Sequence, residues 1–296
     1  MMIYASNIPV FDYLGITKLH NQGFKGKGIK ICSRESSTSK HGKKVFDIIQ
    51  QIVPEADIIT KQEYYSLKRP IDVYTTSLFN GNDDKEINKQ IARNLYLKDV
   101  FLVCAVGNES YDSCTNLAKQ DVWTSIGACR YKDGDIKRLS YSSATNNIDF
   151  MSITNLETSL GTFTGTSCAT PVFASMCALV QCYFLQTKGK KLTNEELLQF
   201  IKLNCIDLEN QGFDEKTGYG LFRIPEMRIN MFKDYTEWEK AIYYLASQGE
   251  MDSPEYWKER IIRENDTNLK WFCVKWANCY IKGGLNNDAS NKREAY

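Results

Sequence analysis

The chain has 296 residues, 43% hydrophobic and 25% charged, with 37 Lys and Arg against 36 Asp and Glu. That length holds one α/β domain of about 200 to 250 residues with a small appendage. The balanced charge, with no concentrated Lys/Arg stripe, argues against a nucleic-acid partner.

Met1 to Ser6 lack a basic segment leading into an apolar one, so no classical export signal is read and the expected compartment is the cytoplasm. Gly26-Lys27-Gly28 is a turn, and Ile29 to Cys32 after it reads as a first core strand. His41-Gly42 opens a helix over Lys43 to Ile52, with Val45, Ile48, Ile49 and Ile52 at helical spacing and Pro54 as its stop. Ala56 to Ile59 and Val73 to Thr76 are further strands. A polar loop from Asn80 to Asp84 leads into a helix over Lys85 to Leu97. Val100 to Ala105 is the clearest buried strand, ending at Gly107-Asn108. Shorter strand-like pieces follow at Trp123 to Ala128, Arg138 to Ser142 and Asp149 to Ile153. The apolar run from Cys168 to Leu185 is interrupted by Thr170, Pro171, Ser175 and Gln181, which fits a buried core helix and no membrane span. Thr193 to Glu196 open another helix, and Gly218 to Leu221 close the main domain.

Strands with continuous apolar runs, alternating with helices, predict an α/β fold: a three-layer structure whose mostly parallel sheet is flanked by helices. Beyond Pro225 the composition turns charged and aromatic, and Trp238, Leu245, Trp257, Trp271 and Trp276 mark short amphipathic helices. The expected organisation is a main domain over 1–228, a small helical module over 229–285 and a disordered tail over 286–296. The module's Trp and Tyr content suits either packing on the main domain or docking of a protein partner. The ten cysteines are scattered, without a CxxC pair, as expected of reduced thiols. With only His20 and His41 and no HExxH motif, neither a metal site nor a cofactor is expected.

The chemistry concentrates in Gly165-Thr166-Ser167-Cys168-Ala169-Thr170-Pro171, where a serine among small residues stands at the mouth of an apolar helix whose first N–H groups favour a developing anion. A serine nucleophile needs a base, and His20 sits in a polar segment before the first strand, so His41 is the candidate by elimination. No histidine follows Ser167, which excludes the α/β-hydrolase order of nucleophile before histidine.

Four segments in order resemble the subtilisin-like serine peptidases, over roughly residues 10–225: Leu19 to Ile31, His41-Gly42, Gly107-Asn108 and Gly165 to Pro171. The resemblance implies a serine endopeptidase with Ser167 as nucleophile, His41 as general base and Asn108 in the oxyanion site, acting on a polypeptide. At the end of the first strand the family carries an aspartate, and counting forward from Gly26 places Glu35 there. Only Ser36 to Lys40 separate Glu35 from His41. Ser77-Leu78-Phe79 is similar to the family's substrate edge, with Phe79 in place of a glycine, and with Gly107 completes the expected substrate contacts. The ring of Phe79 implies a preference for small P1 side chains. The family's calcium loops have no counterpart, and no calcium requirement is expected. Cys168, beside the nucleophile, reads as a packed thiol. Two alternatives stay open: a pseudoprotease that binds peptides or a partner, supported by Glu35, and a serine hydrolase of another substrate class.

Overall fold

The sheet runs through the middle of the first part of the chain, and its strands are the apolar runs themselves. A computed structural model describes residues 3–61, 63, 64, 70–78, 92, 93, 95–110, 114–210 and 212–227, together with Ile242, Leu245, Trp257, Arg260, Ile261 and Cys273. Two compact units divide the chain, Met1–Met227 and Arg228–Tyr296.

In the first unit two short helices, α1 (Ile8–Tyr13) and α2 (Ile16–Asn21), precede strand β1 (Lys30–Ser33). Helix α3 (Lys40–Ile52) leads to β2 (Asp57–Thr60), then β3 (Val73–Thr76), β4 (Phe101–Ala105), β5 (Thr124–Lys132), β6 (Asp135–Arg138) and β7 (Phe150–Ile153). A long helix, α4 (Thr166–Lys188), is followed by α5 (Asn194–Leu203), β8 (Cys205–Ile206) and β9 (Leu221–Phe222). The strand order is β2-β1-β3-β4-β5-β7-β9-β8, with β6 beside β5. All pairs are parallel except β5–β6 and β8–β9. Every residue of β3, β4 and β7 is buried, as strands covered on both faces must be. This is the α/β architecture, a mostly parallel sheet flanked by helices, that the sequence pattern predicts.

Helix α4 has the length and apolarity of a bilayer span, but every residue from Cys168 to Phe184 is buried within the structure. A helix apolar on all sides belongs in a core, and this one packs on the sheet. Phe173 illustrates the fit, fully buried, stacked on Phe150 with centroids 5.4 Å apart and edge-on to Phe222 at 5.9 Å. Of the polar residues that interrupt the run, Thr170 Oγ1 donates to Thr166 O at 2.7 Å, and Gln181 Nε2 donates to Leu192 O while Gln181 Oε1 accepts from Leu192 N–H, both at 2.8 Å.

Three expectations need correction or completion. Arg138 to Ser142 is not a strand; Arg138 ends β6, and residues 139–142 form a turn, closed by Ser142 N–H on Leu139 O, that stays bonded to Ala128 of β5. The β5–β6 hairpin turns on Asp133-Gly134, with φ of 51° and 90°, the Asp-Gly signature of a tight hairpin that shifts the strand upstream. The two N-terminal helices, one carrying His20, add Val10, Phe11, Ile16 and Leu19 to the core. Phe79 and most of the helix expected over 85–97 lie outside the described residues, as does nearly all of the C-terminal module. There the described Ile242, Leu245, Ile261 and Cys273 are helical and buried, and the Arg260 guanidinium lies 5.5 Å from the Trp257 ring centre.

Candidate active site

Parallel strands deliver their carboxyl ends to one edge of the sheet, and the candidate residues follow those ends. Glu35 stands two residues beyond β1, Ser77 directly after β3, Gly107-Asn108 after β4, and Ser167 in the first turn of α4. His41 occupies the first turn of α3, whose N-cap Ser39 accepts at Oγ from Gly42 N–H at 2.9 Å. The chain between Glu35 and His41 is folded so tightly that a β-carbon on Gly42 would lie 2.0 Å from Ser36 O. Glycine is therefore required at that position.

Ser167 is the second residue of its helix, not the cap; Gly165, at φ 86°, holds the cap position. Pro171 sits four residues on and has no N–H to offer the Ser167 carbonyl. That freed carbonyl accepts from Ser77 Oγ at 3.0 Å, while Ser167 Oγ lies 3.4 Å from Ser77 O. The two serines thus tie the nucleophile turn to the end of β3. Ser167 N–H lies in the first helical turn, where no intrahelical acceptor exists.

Asn108 is exposed, and its Oδ1 accepts from Thr166 N–H at 2.9 Å and from Thr166 Oγ1 at 3.1 Å. A backbone N–H can only donate, so this contact fixes the amide with Nδ2 as the outward group. That leaves the two Nδ2 hydrogens as the donors this side chain can offer. Behind it Gly107, at φ 121°, is fixed by Ser143 N–H donating to its carbonyl at 3.0 Å.

Glu35 is 1% exposed, and its two oxygens accept from Ser33 Oγ and from Ser77 N–H. The carboxylate therefore orients the same Ser77 that touches Ser167. His41 stands apart from this pair. Its ring meets Phe163 edge-on at 5.5 Å, and its buried Nδ1 has no hydrogen-bond partner among the described residues. The structure joins Glu35, Ser77, Ser167, Thr166 and Asn108 in one bonded chain and leaves the imidazole outside it. Leu78 follows at 38% exposure on the rim.

Several supporting residues escape a sequence reading. Phe163 reaches His41 because the segment after β7 doubles back, pairing Leu156 with Phe163. That hairpin is held by Asn7, which donates from Nδ2 to Gln51 Oε1 at 2.8 Å and to Glu157 O at 2.9 Å, and by Asp47, whose Oδ2 accepts from Ser159 N–H at 2.6 Å. Nothing local in the sequence links residues 7, 51 and 157. Cys168 is fully buried, and burial pushes its thiol up to about 12. It is a packed side chain. Among the described residues no cluster of His, Cys, Asp or Glu could hold a metal, and the described cysteines are free thiols.

A serine in the first turn of a core helix, tied through Thr166 to an asparagine at a strand end, sits at the carboxyl rim of a parallel sheet. The sequence profile of the subtilase family, Peptidase S8, matches residues 53–220, and the chain belongs to that family of serine peptidases. The match spans Asn108 and Ser167 and begins downstream of Glu35 and His41.

Among curated proteins the chain is similar to the minor extracellular protease Epr of Bacillus subtilis (strain 168), with 27% identity over 165 residues, covering 54% of this chain and 24% of Epr. An intracellular serine protease of Paenibacillus polymyxa is 26% identical over 178 residues, covering 55% of this chain and 52% of that protein. The chain thus spans about a quarter and about half of these two relatives. Among solved structures, a lanthipeptide protease superposes with a TM-score of 0.59 at 14% identity, covering 71% of this chain and 90% of that one. The prenylagaramide maturation protease PagA superposes with a TM-score of 0.60 at 15% identity, covering 71% and 95%. These two likenesses establish the shared fold.

Proposed function

We propose that the chain is a serine endopeptidase that hydrolyses peptide bonds through an acyl-enzyme on Ser167. The observation that carries this reading is the Asn108 amide, pinned by Thr166 so that Nδ2 faces outward one residue from the nucleophile. Ser167 Oγ attacks the peptide carbonyl and His41 takes its proton. The oxyanion is received by Asn108 Nδ2 and Ser167 N–H. Collapse of the tetrahedral species returns the proton from His41 to the leaving amine, and water repeats the sequence on the ester. Glu35 fixes Ser77, and through it the nucleophile turn, and forms its bond to His41 Nδ1 once substrate lies along Ser77-Leu78. Gly107 and Phe79 complete the substrate contacts, Phe79 disfavouring large P1 side chains.

The described free cysteines fit a reducing, intracellular setting, which one of the two curated relatives shares by name. The second unit is assigned to packing or to a protein partner, with no cofactor required.

A second reading rests on one observation, the buried His41 Nδ1 without a partner among the described residues. A site with its imidazole permanently detached would bind peptides without cleaving them. Digestion of a proteome-derived peptide library, read by mass spectrometry with wild type, Ser167→Ala and Glu35→Ala, separates the two. Cleavage by wild type, absent in Ser167→Ala and greatly reduced in Glu35→Ala, is the expected result. Peptide retention without cleavage by any of the three would establish the binding module instead.

A further inference from the structure

Tyr141 stands in the loop after β6 and reaches both halves of the candidate oxyanion site. Its backbone carbonyl accepts from Ser110 N–H at 3.0 Å, two residues beyond Asn108. Its hydroxyl accepts from Gly165 N–H at 3.2 Å, two residues before Ser167. The Gly165 carbonyl is held in turn by Thr154 Oγ1 at 3.0 Å. Gly165 adopts φ 86° and ψ 174° at the cap position of α4, with no side-chain cap; the helix holds its carbonyl, through Cys168 N–H at 3.0 Å and Ala169 N–H at 3.3 Å, whereas its own N–H lies outside the helical ladder and goes to Tyr141. Tyr141 is half-buried, and burial raises its phenol above the ordinary value, so the hydroxyl is neutral and keeps both its lone pairs and its proton at physiological pH.

We propose that Tyr141 is a positioning residue of the oxyanion site: its hydroxyl sets the Gly165 peptide, and with it the Ser167 N–H, while its backbone anchors the Asn108 loop from the other side. The inference rests on the peptidase reading above and adds the device that fixes the spacing between the two donors. The relevant spacing matters only when an oxyanion is present, so Tyr141 acts on the transition state and leaves ground-state peptide binding alone.

The test is Tyr141→Phe, which removes one oxygen. With a chromogenic peptide substrate, kcat is expected to fall about tenfold with KM unchanged, the loss of one positioning hydrogen bond. Affinity for a peptide boronic acid, whose boronate oxygen occupies the oxyanion position, falls by the same factor. Binding of the equivalent peptide amide stays within twofold. A purely structural role for Tyr141 would lower thermal stability without that matched loss of kcat and boronate affinity.

If Tyr141→Phe fails to fold, Thr154→Val removes the side-chain bond to the Gly165 carbonyl, on the following peptide of the same turn, and is expected to give the same paired loss. Wild-type kcat and boronate affinity in the folded variant, or a loss carried wholly by KM, would overturn the proposal while leaving Ser167 as nucleophile. Absence of turnover and of boronate binding in the wild type would overturn the peptidase reading, and this proposal with it.

Discussion

Replacing Asn108 by Ala removes one of two proposed oxyanion donors, and the structure isolates that effect well. Asn108 is exposed, and among the described residues its side chain bonds through Oδ1 to Thr166. Thr166 is fully buried, so its N–H and Oγ1 lose their acceptor at a cost of about 1–3 kcal/mol, which a folding control registers separately from kcat. Loss of one preorganised donor lowers kcat about 10²- to 10³-fold, equivalent to about 2.7–4 kcal/mol of transition-state stabilisation. KM is expected to hold within about twofold, because a ground-state carbonyl gains little from the donor.

Asn108→Asp sharpens the test. Its carboxylate still accepts from Thr166 but offers an oxygen where the amide offers N–H, so it should be at least as slow as the alanine variant while melting normally. Steady-state hydrolysis of a chromogenic peptide, with circular dichroism as the folding control, measures both. Folded Asn108→Ala with wild-type kcat would refute the assignment. So would a loss that appears only in KM.

Three further outcomes follow from the packing and the titrating groups. Phe173→Ala empties the contact between α4 and strands β7 and β9 and should cost about 3–5 kcal/mol, lowering Tm by about 6–20 °C for a domain of this size; a shift below about 2 °C would contradict the core assignment. Cys168, fully buried with its thiol pushed up to about 12, should resist iodoacetamide at pH 8 in the native protein and react after unfolding in urea, as peptide mapping would show. Native labelling with loss of activity would place that thiol at the surface. His20 is half-buried with Nε2 2.7 Å from Ile52 O, and burial, the largest cause, lowers its pKa. The unfolded chain therefore binds the proton more readily. The His20 contribution is complete above the unfolded value of about 6.5 and is lost as pH falls from there through the folded value. Tm should fall between pH 7 and pH 5 by more in wild type than in His20→Gln; equal slopes would show that His20 does not titrate with folding.

The parallel sheet was legible because burial on both faces turns strands into unbroken apolar runs, as in Phe101–Ala105, and because helix α3 carries its isoleucines at a helical period. Asp133-Gly134 was equally legible as a hairpin turn, and attention to it would have placed β6 upstream of Leu139. The positions of Ser167 and Asn108 at strand and helix ends could be read from motif and order alone. Contacts that cross the molecule could not. Asn7 bonds Glu157, Phe163 meets His41, and Tyr141 bonds Gly165, and in each pair the partners are joined only by the folded topology. The role of Pro171 in releasing the Ser167 carbonyl becomes visible only once Ser77 is seen to take it. Glu35 shows the same limit. Its place at the end of β1 follows from counting and its bond to Ser33 is local, whereas its bond to Ser77 depends on β3 lying next to β1.

The central claim, that Ser167 is a nucleophile activated by His41, is tested most directly by a fluorophosphonate probe with mass-spectrometric mapping of the labelled site. Wild type should carry the probe on the peptide containing Ser167, with labelling abolished in Ser167→Ala and slowed by orders of magnitude in folded His41→Ala. No labelling of the folded wild type, labelling at another serine, or equal rates with and without the imidazole would contradict it.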